Sequence, residues 1–272
     1  MKRVLVGADG SVGGRAAVAW AQALTRATGA ELVVARMWHP GFAEVPPEVH
    51  DALRREAAES LAEQWPEDPG HVRARRIDAD PRQGLLELAD EEDVDLIVVG
   101  ARRTHGAVHL PHVGSVTHYL AHHTSRPLVA VPPDSSVPAR GPIVVGVDGS
   151  DGSLRAVRWC GQLADAFGAA VVGIHAEEPA TELRPYWNAD KWRAEAEPRC
   201  STWLAEVRDA GIETRTAVVE GEPGIVLDHV AEQEQASMVV VGARGRGGLG
   251  VRVGSTALRV LHHGTRPVVV VP

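Results

Sequence analysis

The chain carries the same sequence pattern twice, and this repeat restricts its fold more than any other feature. Residues 3–40 align without a gap on residues 142–179, which matches Asp9 with Asp148 and Trp20 with Trp159. Later segments also correspond: DLIVVGAR with SMVVVGAR, and SRPLVAVP with TRPVVVVP. We therefore predict two homologous domains, residues 1–133 and 142–272, joined by a linker at 134–141 that is rich in Pro and Ser.

Each copy alternates short β-rich runs with helices of amphipathic period. Gly29 and Gly168 occupy positions typical of helix C-caps. A longer polar helix is predicted in each copy, at 47–65 and at 188–210, the second with a bend at Pro198. Five strands with crossover helices predict an α/β fold with a doubly wound, Rossmann-like parallel sheet in each domain.

Composition restricts the classes of partner. The 272 residues are 44% hydrophobic, enough for large cores, but no apolar run is long enough to cross a bilayer and no signal peptide begins the chain. We therefore expect a soluble, cytoplasmic protein without a membrane partner. A net charge of −8 argues against nucleic acid, and the two cysteines cannot form a disulfide framework.

The second copy contains a glycine-rich loop, VVGARGRGGLGVRVGST, between a buried strand and a helix. Its glycines let the backbone approach an anion, and the free amides at the start of a helix favour phosphate. Asp148, which ends the first strand of this copy, is placed to accept hydrogen bonds from a ribose or a base amine. A tight connection without a ligand is the alternative interpretation of such a loop.

The combination of VVGVDGS, HAEEP, GARGRGG and GSTALRVLHHGTRPVVVVP resembles the universal stress protein family over both halves of the chain. The resemblance implies ATP binding in many members, stress or dormancy signalling instead of dedicated catalysis, and association through the last strand. The family motif G-x2-G-x9-G-[S/T] is one residue short here, between Gly245 and Gly254. Carried over by position, Asp148 and Ala176 would line an adenosine pocket, and the phosphates would meet Gly242, Gly245, Gly254, Ser255 and Thr256. Arg244 can offset the charge of the phosphates, and Gly149 completes the predicted second-copy site.

The first copy departs further from this motif, because Arg103, or Thr104 if the alignment slides by one, stands where a glycine is required. Its matching positions are Asp9, Gly10, Met37, Gly100, Gly114 and Ser115. Binding in this copy is left open, and we expect the better site in the second copy.

Histidines in and after the first-copy loop, His105, His109 and His112 among them, have no accompanying cysteine or carboxylate base, so we predict no dedicated metal site. Mg²⁺ or Mn²⁺ carried by ATP is the expected metal. The glycine loops lack the lysine of a Walker motif, which argues against an enzyme. The leading hypothesis is an ATP-binding stress-response regulatory protein whose two domains pack as a pseudo-two-fold dimer through residues 126–131 and 266–271. A nucleotide-free scaffold is the alternative, a weak ATPase is less favoured, and a homodimer is left open.

Overall fold

The computed structural model describes residues 1–37, 55, 72–77, 79–101, 114–135, 141–246 and 252–272. These residues form two compact units, the first within residues 1–135 and the second within residues 141–272. Each unit is a five-stranded parallel sheet with helices, which confirms the predicted fold class. The predicted helix at 47–65 lies outside the described residues.

In the first unit, all neighbouring strands pair in parallel in the order β3-β2-β1-β4-β5. The elements in chain order are β1 (Arg3–Gly7), α1 (Val12–Thr28), β2 (Glu31–Met37), β3 (Val72–Ile77), α2 (Pro81–Glu91), β4 (Leu96–Gly100), α3 (Ser115–His123) and β5 (Leu128–Val131).

The second unit repeats this order as β8-β7-β6-β9-β10. Its elements are β6 (Ile143–Gly146), α4 (Asp151–Phe167), β7 (Val171–Glu177), a 3-10 turn (Arg184–Tyr186), α5 (Ala189–Trp203), α6 (Ala205–Asp209), β8 (Thr214–Glu220), α7 (Pro223–Gln233), β9 (Met238–Gly242), α8 (Ser255–His263) and β10 (Val268–Val271). The chain first adds β7 and β8 on one side of β6 and then adds β9 and β10 on the other side. This switch in strand order leaves a crevice beyond the carboxyl ends of β6 and β9.

The helix that follows the first strand of each unit ends at the glycine that the sequence predicts and begins at a serine cap that was not predicted. Ser11 and Ser150 accept a hydrogen bond from an amide of the first turn of α1 and α4. Gly29 and Gly168 end these helices at φ 70° and 61°, in the left-handed conformation that favours glycine. The two glycine caps fix the point at which the chain leaves each helix for the next strand.

The polar helix of the second unit is interrupted at a residue other than its proline. The chain stays helical through Pro198 and leaves helical geometry at Leu204, between α5 and α6. Leu204 is fully buried, and its Cδ1 atom lies 2.6 Å from the place that a Cβ on Gly173 of β7 would take. The interruption thus occurs where a leucine packs into the gap that a glycine leaves in the sheet, not at the proline.

No helix in the described part of the chain is long and apolar enough to span a membrane.

Candidate functional site

A cavity of about 650 Å³ lies at the carboxyl ends of β6, β7 and β9 in the second unit. Small-molecule sites in proteins typically measure roughly 300–1,000 Å³. The cavity is bounded by the ends of these strands, by the loop after β9 and by the first turn of α8. The structure brings together around it most of the predicted second-copy residues: Asp148, Ala176, Gly242, Arg244, Gly245, Gly254, Ser255 and Thr256.

Asp148 is held in place by groups from two different segments. Its Oδ1 atom accepts hydrogen bonds from the amide and the hydroxyl of Ser150, and its Oδ2 atom accepts one from the Arg246 amide at 2.9 Å. Burial by itself raises the pKa of this carboxyl, but the hydrogen bonds from Ser150, Arg246 and Ser153 outweigh it and leave the pKa below its usual value. Asp148 is therefore a fixed carboxylate at neutral pH, a good hydrogen-bond acceptor and a weak base.

The opposite side of the cavity is formed by the start of α8. Gly254 is the N-cap residue and provides no side-chain cap, and its own amide donates to Ala243 O at 2.7 Å. The next amides, those of Ser255, Thr256 and Ala257, begin the helix and have no partner within it. The positive end of the helix dipole and the two hydroxyl groups make this turn suited to an anion. The amides of the first turn of α8 are thus available to an anion, whereas the amide of Gly254 already donates to Ala243 O.

Three glycines predicted to contact the phosphates have different physical roles. A Cβ on Gly242 would lie 2.6 Å from the carbonyl carbon of Gly152, so this glycine is required for packing of β9 against α4. A Cβ on Gly245 would lie 2.6 Å from Asp148 Oδ2. A Cβ on Gly254 would meet nothing closer than Ala243 O at 3.6 Å, an ordinary contact. Gly242 therefore permits the packing of β9 against α4, and Gly245 leaves space for the Asp148 carboxylate. Of these three glycines, only Gly254 leaves room for a side chain.

Gly149 is not among the residues that line the cavity, and it packs against a tryptophan. It has φ 78°, and a Cβ there would lie 2.5 Å from the Trp203 ring. The guanidinium carbon of Arg246 lies 5.8 Å from the centroid of the same ring. Trp203, which sequence reasoning missed, thus packs against both segments that hold Asp148, and it is contributed by a helix distant in the sequence.

The strand β7 contributes a histidine that sequence reasoning did not assign to the site. His175 lines the cavity and is 3% exposed, and its Nδ1 atom donates to Val147 O at 2.8 Å. The Nε2 atom has no hydrogen-bond partner among the described residues and lies 3.8 Å from Glu177 Oε2. Through this hydrogen bond, His175 connects the end of β7 to Val147, the residue before Asp148. Its position immediately before Ala176 was the signal that could have revealed it.

In the first unit, the predicted residues occupy equivalent places, and among them only Met37 differs in side-chain volume from its counterpart, Ala176. Asp9 and Gly10 follow β1, Met37 and Gly100 end β2 and β4, and Gly114 caps α3 ahead of Ser115. The Sδ atom of Met37 lies 3.0 Å from where a Cβ on Gly84 of α2 would be, so its side chain extends over that helix. The residues at these two places in the second unit are Ala176 and Val226, so a smaller strand residue faces a larger helix residue there. The loop at 102–113, with Arg103 and the three histidines, lies outside the described residues.

In the part of the chain that the structure describes, no three His, Cys, Asp or Glu side chains come close enough together to hold a metal ion.

Comparisons with known proteins show the family to which this chain belongs. The model of the universal stress protein family matches residues 1–132 and again residues 140–272. The chain belongs to the universal stress protein family. A universal stress protein of Mycolicibacterium smegmatis is 28% identical over 98% of this chain and 96% of its own length. One of Mycobacterium tuberculosis is 30% identical over 98% of this chain and 94% of its own length.

Solved structures of the family share the fold of the whole chain. A universal stress protein from Archaeoglobus fulgidus has a TM-score of 0.75 at 19% identity and covers 99% of this chain and 97% of its own. One from Pseudomonas aeruginosa has a TM-score of 0.69 at 19% identity, over 100% and 93%. The chain is thus a tandem member of the family with two Rossmann-like domains.

Proposed function

We propose that the second domain of this universal stress protein binds ATP in the cavity between Asp148 and the first turn of α8. The observation that carries the proposal is the pairing of a fixed carboxylate with an uncapped helix N-terminus across one cavity. A nucleoside triphosphate has both complementary parts, because its ribose hydroxyls donate hydrogen bonds and its phosphates accept them. The family resemblance implies adenine as the base.

The order of the groups around the cavity supports one orientation of the ligand. In this orientation the phosphates contact the amides of Ser255 and Thr256 at the start of α8. The ribose contacts Asp148 after β6, and the base lies beside Ala176 at the end of β7. The exposed side chain of Arg244 lies at the phosphate end, where it offsets negative charge. Mg²⁺ or Mn²⁺ enters with the nucleotide and is coordinated mainly by its phosphates and by water.

We propose that the site holds the nucleotide without dedicated catalysis, as a regulatory protein requires. Asp148 is the carboxylate nearest to the proposed ribose position, and its lowered pKa makes it a poor general base at neutral pH. The bound nucleotide is then a signal that alters the surfaces of the protein during stress. The first domain binds more weakly or not at all, because Arg103 stands where the family motif has a glycine.

Mass spectrometry of the purified chain for carried-over nucleotide, followed by calorimetry with ATP on nucleotide-free protein, tests the proposal. We expect saturable binding that falls by about tenfold or more in Asp148→Asn, through loss of a hydrogen bond to a charged acceptor. Asp9→Asn, the matched change in the first domain, should leave this binding intact. Absence of both carried-over nucleotide and heat at millimolar ATP would favour the nucleotide-free scaffold, and turnover lost in Asp148→Asn would favour an ATPase.

A further inference from the structure

The end of α5 is anchored on the sheet of the second unit. The thiol of Cys200, in the last turn of this helix, donates to Gly173 O of β7 at 3.9 Å. Leu204, which follows the helix, is fully buried, with its side chain over the same glycine. The position of Trp203, the last residue of α5, is therefore fixed relative to β7.

The Trp203 ring fills the side-chain space of Gly149, the residue after Asp148. A Cβ on Gly149 would lie 2.5 Å from Cζ2 of the ring and 2.8 Å from its Cε2. The same Asp-Gly-Ser turn occurs in the first unit, where Gly10 has φ 77° against 78° for Gly149. Among the described residues, the nearest atom to a Cβ on Gly10 is Arg36 Nη2, at 3.8 Å. The close contact at Gly149 is therefore a property of Trp203 and not of the turn.

The same ring contacts the second segment that holds the Asp148 carboxylate. The guanidinium carbon of Arg246 lies 5.8 Å from the ring centroid, a cation–π arrangement. The Arg246 amide donates to Asp148 Oδ2, and the Ser150 amide donates to Oδ1, each at 2.9 Å. Because Gly149 lies between Asp148 and Ser150, Trp203 packs against both segments whose amides orient the carboxylate.

His175 extends this support to the residue before Asp148. Its ring meets the Trp203 ring edge to face, with centroids 5.4 Å apart and an interplanar angle of 74°. Its Nδ1 atom donates to Val147 O at 2.8 Å. The residues on both sides of Asp148 thus contact the His175 and Trp203 rings.

We propose that Trp203 is a positioning residue for the Asp148 carboxylate and that α5 thereby sets the affinity for the ribose end of the nucleotide. Trp203 is not among the residues that line the cavity, so it acts through Gly149 and Arg246 and not by contact with the ligand. A binding group keeps its orientation only if its neighbours are themselves held by packing. The inference rests on the proposed function of the cavity and adds a residue that determines its affinity.

Calorimetry with MgATP on the full chain tests the proposal. We expect Trp203→Leu to weaken binding about tenfold, as much as Asp148→Asn does, and Trp203→Phe, which keeps an aromatic ring, to restore most of the affinity. The double variant of Trp203→Leu and Asp148→Asn should bind no more weakly than Asp148→Asn alone, because both changes act through one carboxylate. Wild-type affinity in Trp203→Leu, or losses that add to about 100-fold in the double variant, would overturn the proposal.

Gly149→Ala tests the same contact from the side of the turn, because the new methyl group must displace the ring. Gly211→Ala is the matched control in the same unit: Gly211 has φ 87°, and no described atom lies within 4 Å of its Cβ position. Both alanines carry the strain of a left-handed backbone, so both variants should lose stability. Only Gly149→Ala should weaken ATP binding, by about tenfold. Equal affinity in the two variants would contradict the role of Trp203.

Amide hydrogen exchange in the nucleotide-free protein separates this inference from the proposed function. We expect Trp203→Leu to accelerate exchange of the Arg246 amide at least about tenfold, through loss of its bond to Asp148. The Ala243 amide, which donates to Val271 O at 2.6 Å, should exchange as in the wild type and so report an intact fold. This result without any ATP binding by the wild type would contradict the function of the cavity and support the positioning role. Unchanged exchange at Arg246, or equal acceleration at Ala243, would overturn the positioning role.

Discussion

Replacement of Gly254 by Asp should raise the stability of the protein and abolish its nucleotide binding. Gly254 has φ −78° and ψ 163°, an ordinary N-cap conformation, and the nearest atom to a new Cβ is Ala243 O at 3.6 Å. An aspartate therefore fits without strain. Its carboxylate would accept a hydrogen bond from the Thr256 or Ala257 amide and occupy the donors proposed for phosphate.

The expected gain in stability follows from two small terms. A side-chain cap in place of glycine contributes a few tenths of a kcal/mol, and a negative charge at a helix N-terminus contributes about 0.3–1 kcal/mol. The sum is about 1 kcal/mol, or about 2–4 °C in the thermal midpoint of a chain of this size. Most substitutions destabilise, so even this modest increase is informative.

The expected loss of affinity is much larger. At about 4 Å, two unit charges near a protein surface interact by about 4 kcal/mol, and a triphosphate carries several charges. We therefore expect ATP binding to weaken by at least about 100-fold, which corresponds to about 2.7 kcal/mol.

Thermal unfolding of nucleotide-free protein and calorimetry with ATP measure the two effects on one sample. Gly114→Asp is the matched control, because Gly114 also begins a helix without a side-chain cap. It should stabilise the first domain and leave ATP binding unchanged. The reasoning is refuted if Gly254→Asp stabilises the fold and still binds ATP with wild-type affinity.

Two further predictions concern groups around the same site. Gly245→Ala places a Cβ 2.6 Å from Asp148 Oδ2, so the carboxylate must move. We expect the free energy of unfolding in urea to fall by about 1–2 kcal/mol and ATP binding in calorimetry to weaken about tenfold. Full affinity would show that the position of the carboxylate is unimportant. The folded-state pKa of Asp228, about 6, lies above its ordinary value of 3.8. Its charge therefore lowers stability fully above pH 6, and this penalty declines as the pH falls from 6 towards 3.8. With a discount for solvent screening of this partly exposed group, Asp228→Asn should stabilise the protein in urea unfolding by about 1 kcal/mol at pH 7.5 and by roughly a third of that at pH 4.5. An equal gain at both pH values would contradict this assignment.

The sequence predicted the sheet elements well, because their signals are local. Buried runs such as Leu96–Gly100 and Met238–Gly242 are apolar throughout, and glycines such as Gly29 mark where helices end. The repeat added independent support, since each element occurs twice in the same order.

The candidate site was predictable only in outline. Sequence spacing identified Asp148 and the start of α8, because both lie at the carboxyl edge of the sheet. It could not assign Gly242 to packing against Gly152 or place Trp203 beside Gly149. These contacts join segments that are distant in the sequence, and they depend on distances that only the folded chain sets.

Titration of isotope-labelled, nucleotide-free protein with MgATP, followed by amide resonances, tests the central claim most directly. We predict saturable shifts of the Ser255 and Thr256 amides in the second domain, with smaller shifts or none at Gly114 and Ser115 in the first. Unchanged Ser255 and Thr256 resonances at millimolar ATP would contradict the account.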